Sequence, residues 1–387
     1  MNRFVYVDNA ATTCVYEEVI SAMEPFFKKN YGNASSIYGL GRESSIALEK
    51  ARSDIAECIN AEKNEIFFTS GGSESDNWAI KCAVSSNKNR IISSPIEHHA
   101  VMHSINSLVK KGFLAKYVSI DNFGLISPEN VSSLLDERTA LVSVMMANNE
   151  IGTIEPIEEI AAICREKNVL FHTDAVQAVG HIEVDVKKLG IDMLSMSAHK
   201  FHGPKGVGAL FLRNGVKLPP FMDGGAQEDG MRAGTENIAG IVGMAKALEI
   251  ATGNLRENCK KIEKMRNKII NNLMKIKKTR LTGHPEKRLP GNASFCFEGI
   301  EGESILLSLD ACGICASTGS ACTSKSLEPS HVLLAIGLPH KIAHGSLRIT
   351  FCEDNNEDDV DYILEKLPLI VEKLRLMSPI WNKDQQS

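Results

Sequence analysis

No apolar run in this sequence approaches the roughly 20 residues that a membrane span needs, so no membrane-embedded role is expected. Neither sign of charge dominates. The formal net charge is −5, with acidic and basic residues interspersed, which leaves no electrostatic footprint for direct nucleic-acid binding. The N-terminus, Met1-Asn2-Arg3-Phe4-Val5-Tyr6-Val7-Asp8, lacks the long apolar region of a signal peptide. Internal repeats and low-complexity linkers are missing too. A cytoplasmic protein is therefore expected, with an ordinary globular composition of 43% hydrophobic and 24% charged residues. What the sequence does have is length and cysteine. Its 387 residues exceed one ordinary core, so two domains are expected. Its ten cysteines, without a secretion signal, read as reduced thiols. Cys58, Cys82, Cys164 and Cys296 sit in apolar patterns and read as small buried hydrophobes.

The first two thirds of the chain alternate strand and helix patterns. Strands are expected at 65–70, 140–146, 169–173 and 207–212, and helices at 74–85 and 157–167, the latter opened by Pro156. Such alternation predicts an α/β fold with a largely parallel sheet covered by helices. After about Asn254 the pattern changes. A long basic amphipathic helix is expected at 255–278, strands at 293–297 and 346–351, and a terminal helix at 357–377 kinked or broken at Pro368. This reads as a smaller α+β domain. The expected division is a large domain at 15–257 and a small one made of 1–14 and 258–387.

The chemistry concentrates in a few segments. The apolar run 191–196 ends in Ser197-Ala198-His199-Lys200, and another ends at Asp174 in His172-Thr173-Asp174-Ala175-Val176-Gln177. A lysine and an aspartate at neighbouring strand ends suit pyridoxal phosphate (PLP). The amine can form a Schiff base with the aldehyde, and the carboxylate can keep the pyridine nitrogen protonated. A surface lysine beside a buried histidine would read the same. Ser70-Gly71-Gly72-Ser73, between a strand and a helix start, could cradle a phosphate on free N–H groups, or could be a plain turn. Ser197 and His199 could complete that cradle, and Thr235 is a further candidate or a helix N-cap. In Glu97-His98-His99-Ala100-Val101, a histidine could stack on the ring and shuttle protons, or the pair could be structural.

Taken together, Tyr6-Val7-Asp8-Asn9-Ala10-Ala11-Thr12-Thr13, Tyr31-Gly32-Asn33-Ala34-Ser35-Ser36, Thr69-Ser70-Gly71-Gly72-Ser73-Glu74-Ser75-Asp76-Asn77, Ala147-Asn148-Asn149-Glu150-Ile151-Gly152 and Gly319-Ser320-Ala321-Cys322-Thr323-Ser324 resemble the cysteine desulfurases. The group in question includes the nitrogen-fixation and housekeeping iron–sulfur assembly enzymes, within the class V aminotransferases. The resemblance runs through nearly the whole chain in order. It implies the PLP-dependent transferase fold type I, a homodimer with active sites near the interface, and L-cysteine as substrate. By the same resemblance Lys200 is the Schiff-base lysine and Asp174 the partner of the pyridine nitrogen. Gln177 bonds the phenolic oxygen, and His98 rather than His99 stacks on the ring. Gly72, Ser73, Ser197, His199 and Thr235 hold the phosphate, with Thr235 supplied by the other subunit. Asn149 and Arg348 hold the substrate carboxylate, with Asn33 also on the substrate side.

Cys322 sits among small polar residues with no packing stripe and so reads as a loop thiol able to reach a substrate sulfur. The resemblance makes it the persulfide carrier, and the length between it and the 347–348 strand is similar to the long-loop group. The sulfur would pass to an acceptor protein such as an iron–sulfur scaffold or a tRNA thiolation enzyme. A selenocysteine lyase, another PLP β-lyase, and a sulfur-transfer scaffold with weak turnover are the competing readings. Three features depart from the family pattern: Thr350-Phe351-Cys352-Glu353-Asp354 after the arginine, Asp229 in place of an arginine, and Tyr38 near a usual histidine. Cys312-Gly313-Ile314-Cys315 could suggest zinc or redox chemistry, but it lacks a second ligand pair, so no metal is expected.

Overall fold

The computed structural model describes residues 3–319, 329–379 and 381. Twelve strands occur among them: β1 (Val5–Tyr6), β2 (Ile66–Thr69), β3 (Arg90–Ser93), β4 (Leu114–Tyr117), β5 (Thr139–Ser143), β6 (Leu170–Asp174), β7 (Met193–Ser197), β8 (Gly208–Leu212), β9 (Thr279–Leu281), β10 (Asn292–Phe297), β11 (Ile314–Cys315) and β12 (Ser346–Thr350). Seven form one sheet in the order β2-β8-β7-β6-β5-β3-β4. The pairings from β4 through β3, β5 and β6 to β7 are parallel. β8 runs antiparallel to both β7 and β2.

The period of two along these strands explains why both faces are covered. Ile92, Val142, Leu194 and Phe211 point into one cluster, with Ile55, Ile160 and Leu248 from the covering helices. Their neighbours Ile91, Leu141, Met193 and Leu210 point into the opposite cluster, with Trp78, Ile80 and Ile105. A strand buried on both faces carries adjacent apolar residues, as Ile91-Ile92, Leu141-Val142, Met193-Leu194 and Leu210-Phe211 do here. A separate cluster joins Phe295, Phe297 and Leu347, from the β9-β10-β12 sheet, to Ile269, Leu309 and Ile363 on three helices, together with Val5 and Val7.

Several expected boundaries move. The helix expected from position 74 starts at Gly72, and the strand expected to 146 ends at Ser143, releasing 144–149 toward the site. The basic helix stops at Leu273, because 279–281 pair with β10 as β9. The terminal helix Glu357–Met377 continues through Pro368, so that proline does not break it. Two long helices carry no sequence expectation, Gly39–Cys58 and Ile238–Gly253. The second is buried on most of its circumference and therefore lacks the polar face that reveals a helix.

Strand register also shapes the loop before Gly72. Gly208 lies opposite Ser197. A Cβ there would meet the Met196 carbonyl oxygen at 2.5 Å and Gly71 Cα at 2.7 Å. Both are backbone atoms that cannot rotate away. Gly208→Ala is expected to cost about 1–3 kcal/mol by overpacking and to lower PLP retention. Urea midpoints and cofactor absorbance after gel filtration check this.

Candidate active site

The carboxyl ends of the parallel strands converge on a cavity of about 260 Å³, where ligands bind in open α/β sheets. β6 ends at Asp174, and β7 runs into the short turn Ala198–Lys200, which carries the lysine. Their parallel pairing sets Asp174 opposite Ser195 and so brings both groups to one edge. Lys200 Nζ donates to the carbonyls of Ala10 at 2.6 Å and Ala11 at 2.9 Å. Gln177 Nε2 donates to the same Ala10 carbonyl at 2.8 Å. His98 caps the helix His99–Val109, its Nδ1 accepting from Ala100 N at 3.2 Å. Burial lowers its pKa against the opposing charge of Asp174. The neutral ring therefore carries its proton on Nε2.

Asp174 accepts from Val176 N at 2.9 Å, yet burial raises its pKa, opposed by His98, that N–H and Lys200. Asp76 stands beside it, fully buried. Desolvation and then the Asp174 charge push its pKa up, and its Oδ1 has no hydrogen-bond partner among the described residues. His172 lies 3.7 Å from that oxygen. The contact is not an ion pair, because burial pushes the His172 pKa down to about 3 and Ser143 and Ser195 engage both of its nitrogens.

This donor set fits PLP. Two buried carboxylates call for a cationic N–H, which a protonated pyridine nitrogen supplies. The phosphate end fits as well. An adjoining recess is lined by Gly71, Gly72, Ser73, Ser197 and His199, at the N-terminus of the helix Gly72–Ala83. A Cβ on Gly72 would meet Val176 Cγ2 at 2.5 Å, so a side chain there would have to displace Val176. Burial and the nearby Lys200 bring the His199 pKa down to about 4, leaving it neutral beside Thr12.

Arg348, on β12, reaches the cavity from the other cluster. Its Nη1 donates to the Asn149 carbonyl and its Nη2 pairs with Asp8 Oδ1, each at 2.8 Å, while Nε has no partner among the described residues. Of the residues singled out by sequence, Lys200, Asp174, Gln177, His98, Gly72, Ser73, Ser197, His199, Asn149 and Arg348 all line this cavity. Thr235 and Asn33 do not. Both are exposed, and the Asn33 side chain accepts from Ser35 N. Cys322 lies outside the described residues. Sequence reasoning did not single out Asp76, Met145 or the Ala10 and Ala11 carbonyls. Asp76, on the turn after Ser73, had a signal in being an acid inside a buried helix face; backbone carbonyls have none.

The residues from 5 to 363 match the family model "Aminotransferase class-V", and the chain belongs to that family. A protein of Clostridium botulinum (strain Hall) called cysteine desulfurase IscS is 54% identical over 388 residues, covering 99% of this chain and 98% of the relative. One of the same name from Methanosarcina thermophila is 53% identical, covering 100% and 96%. A solved structure described as a NifS-like protein superposes with a TM-score of 0.91 at 42% identity, covering 96% of this chain and all of the other. The architecture is thus the PLP-dependent transferase fold type I, and PLP is the cofactor.

Glu97 closes the acidic side of the site. Its Oε1 accepts from Met145 N at 2.9 Å and Ser94 Oγ at 2.7 Å, but burial still pushes its pKa up to about 8. The folded value lies above the unfolded one. Its contribution to stability is therefore full below about pH 4.5 and is lost as pH rises through about 8. Glu97→Gln keeps the accepting oxygen and should flatten that decline, by up to about 1.4 kcal/mol per pH unit. Urea unfolding at about pH 5 and pH 8.5 measures it.

Proposed function

We propose that this chain is a PLP-dependent cysteine desulfurase that converts L-cysteine to L-alanine and holds the sulfur as a persulfide on Cys322. The observation that supports it most is where the described residues on either side of position 322 lie. Gly319, three positions before it, lines the cavity, with its carbonyl 3.5 Å from Arg348 Nη1. On the far side Ser330 hydrogen-bonds Glu150, next to Asn149.

Bound PLP supplies an aldehyde for the lysine amine and a ring that accepts electrons from the substrate Cα. Lys200 Nζ takes the Cα proton. Asp174 would keep a proton at the ring nitrogen, and His98 would stack on the ring. The Arg348 fork receives the substrate carboxylate beside Asn149. The Cys322 thiolate then attacks the substrate sulfur. An S–S bond forms as the Cβ–S bond breaks and the bonding pair stays on carbon; one proton completes the methyl group at Cβ, and Lys200 returns the proton it took to Cα, giving alanine. Attack by an acceptor thiolate carries the outer sulfur away, to an iron–sulfur scaffold or a tRNA thiolation enzyme.

The proposal extends to a homodimer in which Thr235 of the partner subunit completes the phosphate site. In support, Thr235 is exposed and lines neither the cavity nor the adjoining recess of its own chain. The cluster joining Val5 and Val7 to residues of 262–371 supports the division at 15–257 against 1–14 with 258–387, and a smaller cluster of Ile96, Ile151, Cys296 and Val332 packs the two together. A cytoplasmic setting goes with nine free cysteines among the described residues and with no single described helix being long and apolar enough to cross a membrane.

Incubation with L-cysteine and a reductant should release alanine and sulfide in equal amounts, and PLP-loaded protein that yields no alanine would refute the reading. Cys322→Ala should keep the cofactor colour and lose turnover. Arg348→Lys removes the fork and should raise KM for L-cysteine about 10–100-fold, the equivalent of a charged hydrogen bond, with PLP content unchanged. Steady-state kinetics against cofactor absorbance separates the two effects.

A further inference from the structure

We propose that His202, Cys352 and Glu353 form a zinc site that clasps the segment after Lys200 to the segment after Arg348. His202 Nε2, Cys352 Sγ and a Glu353 carboxylate oxygen all lie within 4.8 Å of one another. His202 is 2% exposed, and its Nε2 has no hydrogen-bond partner among the described residues. A buried imidazole nitrogen left unpartnered is costly unless something occupies its lone pair.

The surroundings prepare that lone pair for a cation. His202 Nδ1 lies 2.9 Å from the Cys14 carbonyl, which fixes Nδ1 as the donor and leaves Nε2 as the acceptor. Metal-bound histidines are held by the same arrangement. The Tyr16 ring stacks on His202 at 4.0 Å and 3°, locking its plane. Thr13 Oγ1 accepts from His202 N at 2.8 Å, and Asn355 Oδ1 accepts from Cys352 N at 3.0 Å, so both ligand backbones are pinned. Glu353 Oε2 stands 3.8 Å from Nε2, too far for a hydrogen bond.

Ligand atoms around a tetrahedral zinc lie roughly 3.3–3.8 Å apart, given bond lengths of about 2.0–2.3 Å. Glu353 is partly buried, its side chain 20% exposed at the rim, and rotation of that side chain closes the remaining spread. One thiolate, one imidazole and one carboxylate form a set suited to zinc rather than to magnesium or calcium, which take oxygen ligands. Water reaching the rim beside Glu353 supplies a fourth ligand. Binding releases the Cys352 proton, since a coordinating thiol is deprotonated. The site is separate from the PLP cavity: none of the three residues lines it.

The test is zinc content per chain in the PLP-loaded enzyme, dialysed against zinc and then metal-free buffer, with a cobalt titration read by its thiolate charge-transfer band. One zinc per chain and a cobalt–thiolate band are expected. Cys352→Ser and His202→Gln should lose both, with affinity falling by more than the roughly 10–100-fold that an outer-shell partner costs. Cys322→Ala and Cys312→Ser should keep both. Glu353→Gln, at the rim, gives a variant whose folding is not in question and should bind more weakly. Wild-type enzyme that takes up neither metal would overturn the proposal, as would zinc retained in full by Cys352→Ser.

Discussion

Everything at this site depends on carboxylates buried without a counter-charge of their own. Asp174, Asp76 and Glu97 are each desolvated; the Asp174 charge raises the cost of ionising Asp76 and Glu97, and the Glu97 charge adds to that of Asp76. Lys200 and His98 offset part of that cost. A cationic heterocycle slotted between them offsets more, so the chain's preference for PLP and the local stability of its sheet edge are two expressions of one electrostatic constraint.

The second constraint is covalent connectivity. Residues 8–13 lie between the two clusters and bond to both. Asn9 Nδ2 donates to the Thr350 carbonyl at 2.7 Å, and the Ala10 N–H donates to Thr350 Oγ1 at 2.9 Å. The Thr13 N–H donates to the His199 carbonyl at 3.0 Å. A segment with little core of its own thereby fixes the Lys200 turn relative to β12.

Much of this was legible in the sequence, and the reasons differ from residue to residue. Strands β6 and β7 are buried along nearly their whole length and carry apolar residues at Leu170, Phe171, Met193, Leu194 and Met196, so the polar groups at their ends, Asp174 and Lys200, stood out as changes of character. Gly72 was legible as a flexible turn residue, but not as a place where a side chain would press on Val176, since that contact joins positions far apart in sequence. Ile238–Gly253 was hidden because burial on nearly all sides erased its periodicity. His202 and Cys352 were hidden for a related reason: each looks like an isolated polar or small residue until the fold closes the distance between Thr13 and Asn355.

The short stretch Asp8–Ala11 also acts as a ruler. Its carbonyls at Ala10 and Ala11 position the Lys200 amine, and its Asp8 carboxylate positions Arg348. On the proposed reading, the amine end and the carboxylate end of a substrate are thus gauged from the same few peptide units. A shift of that one short segment would therefore move both ends together, which keeps the lysine amine and the arginine fork in register with each other.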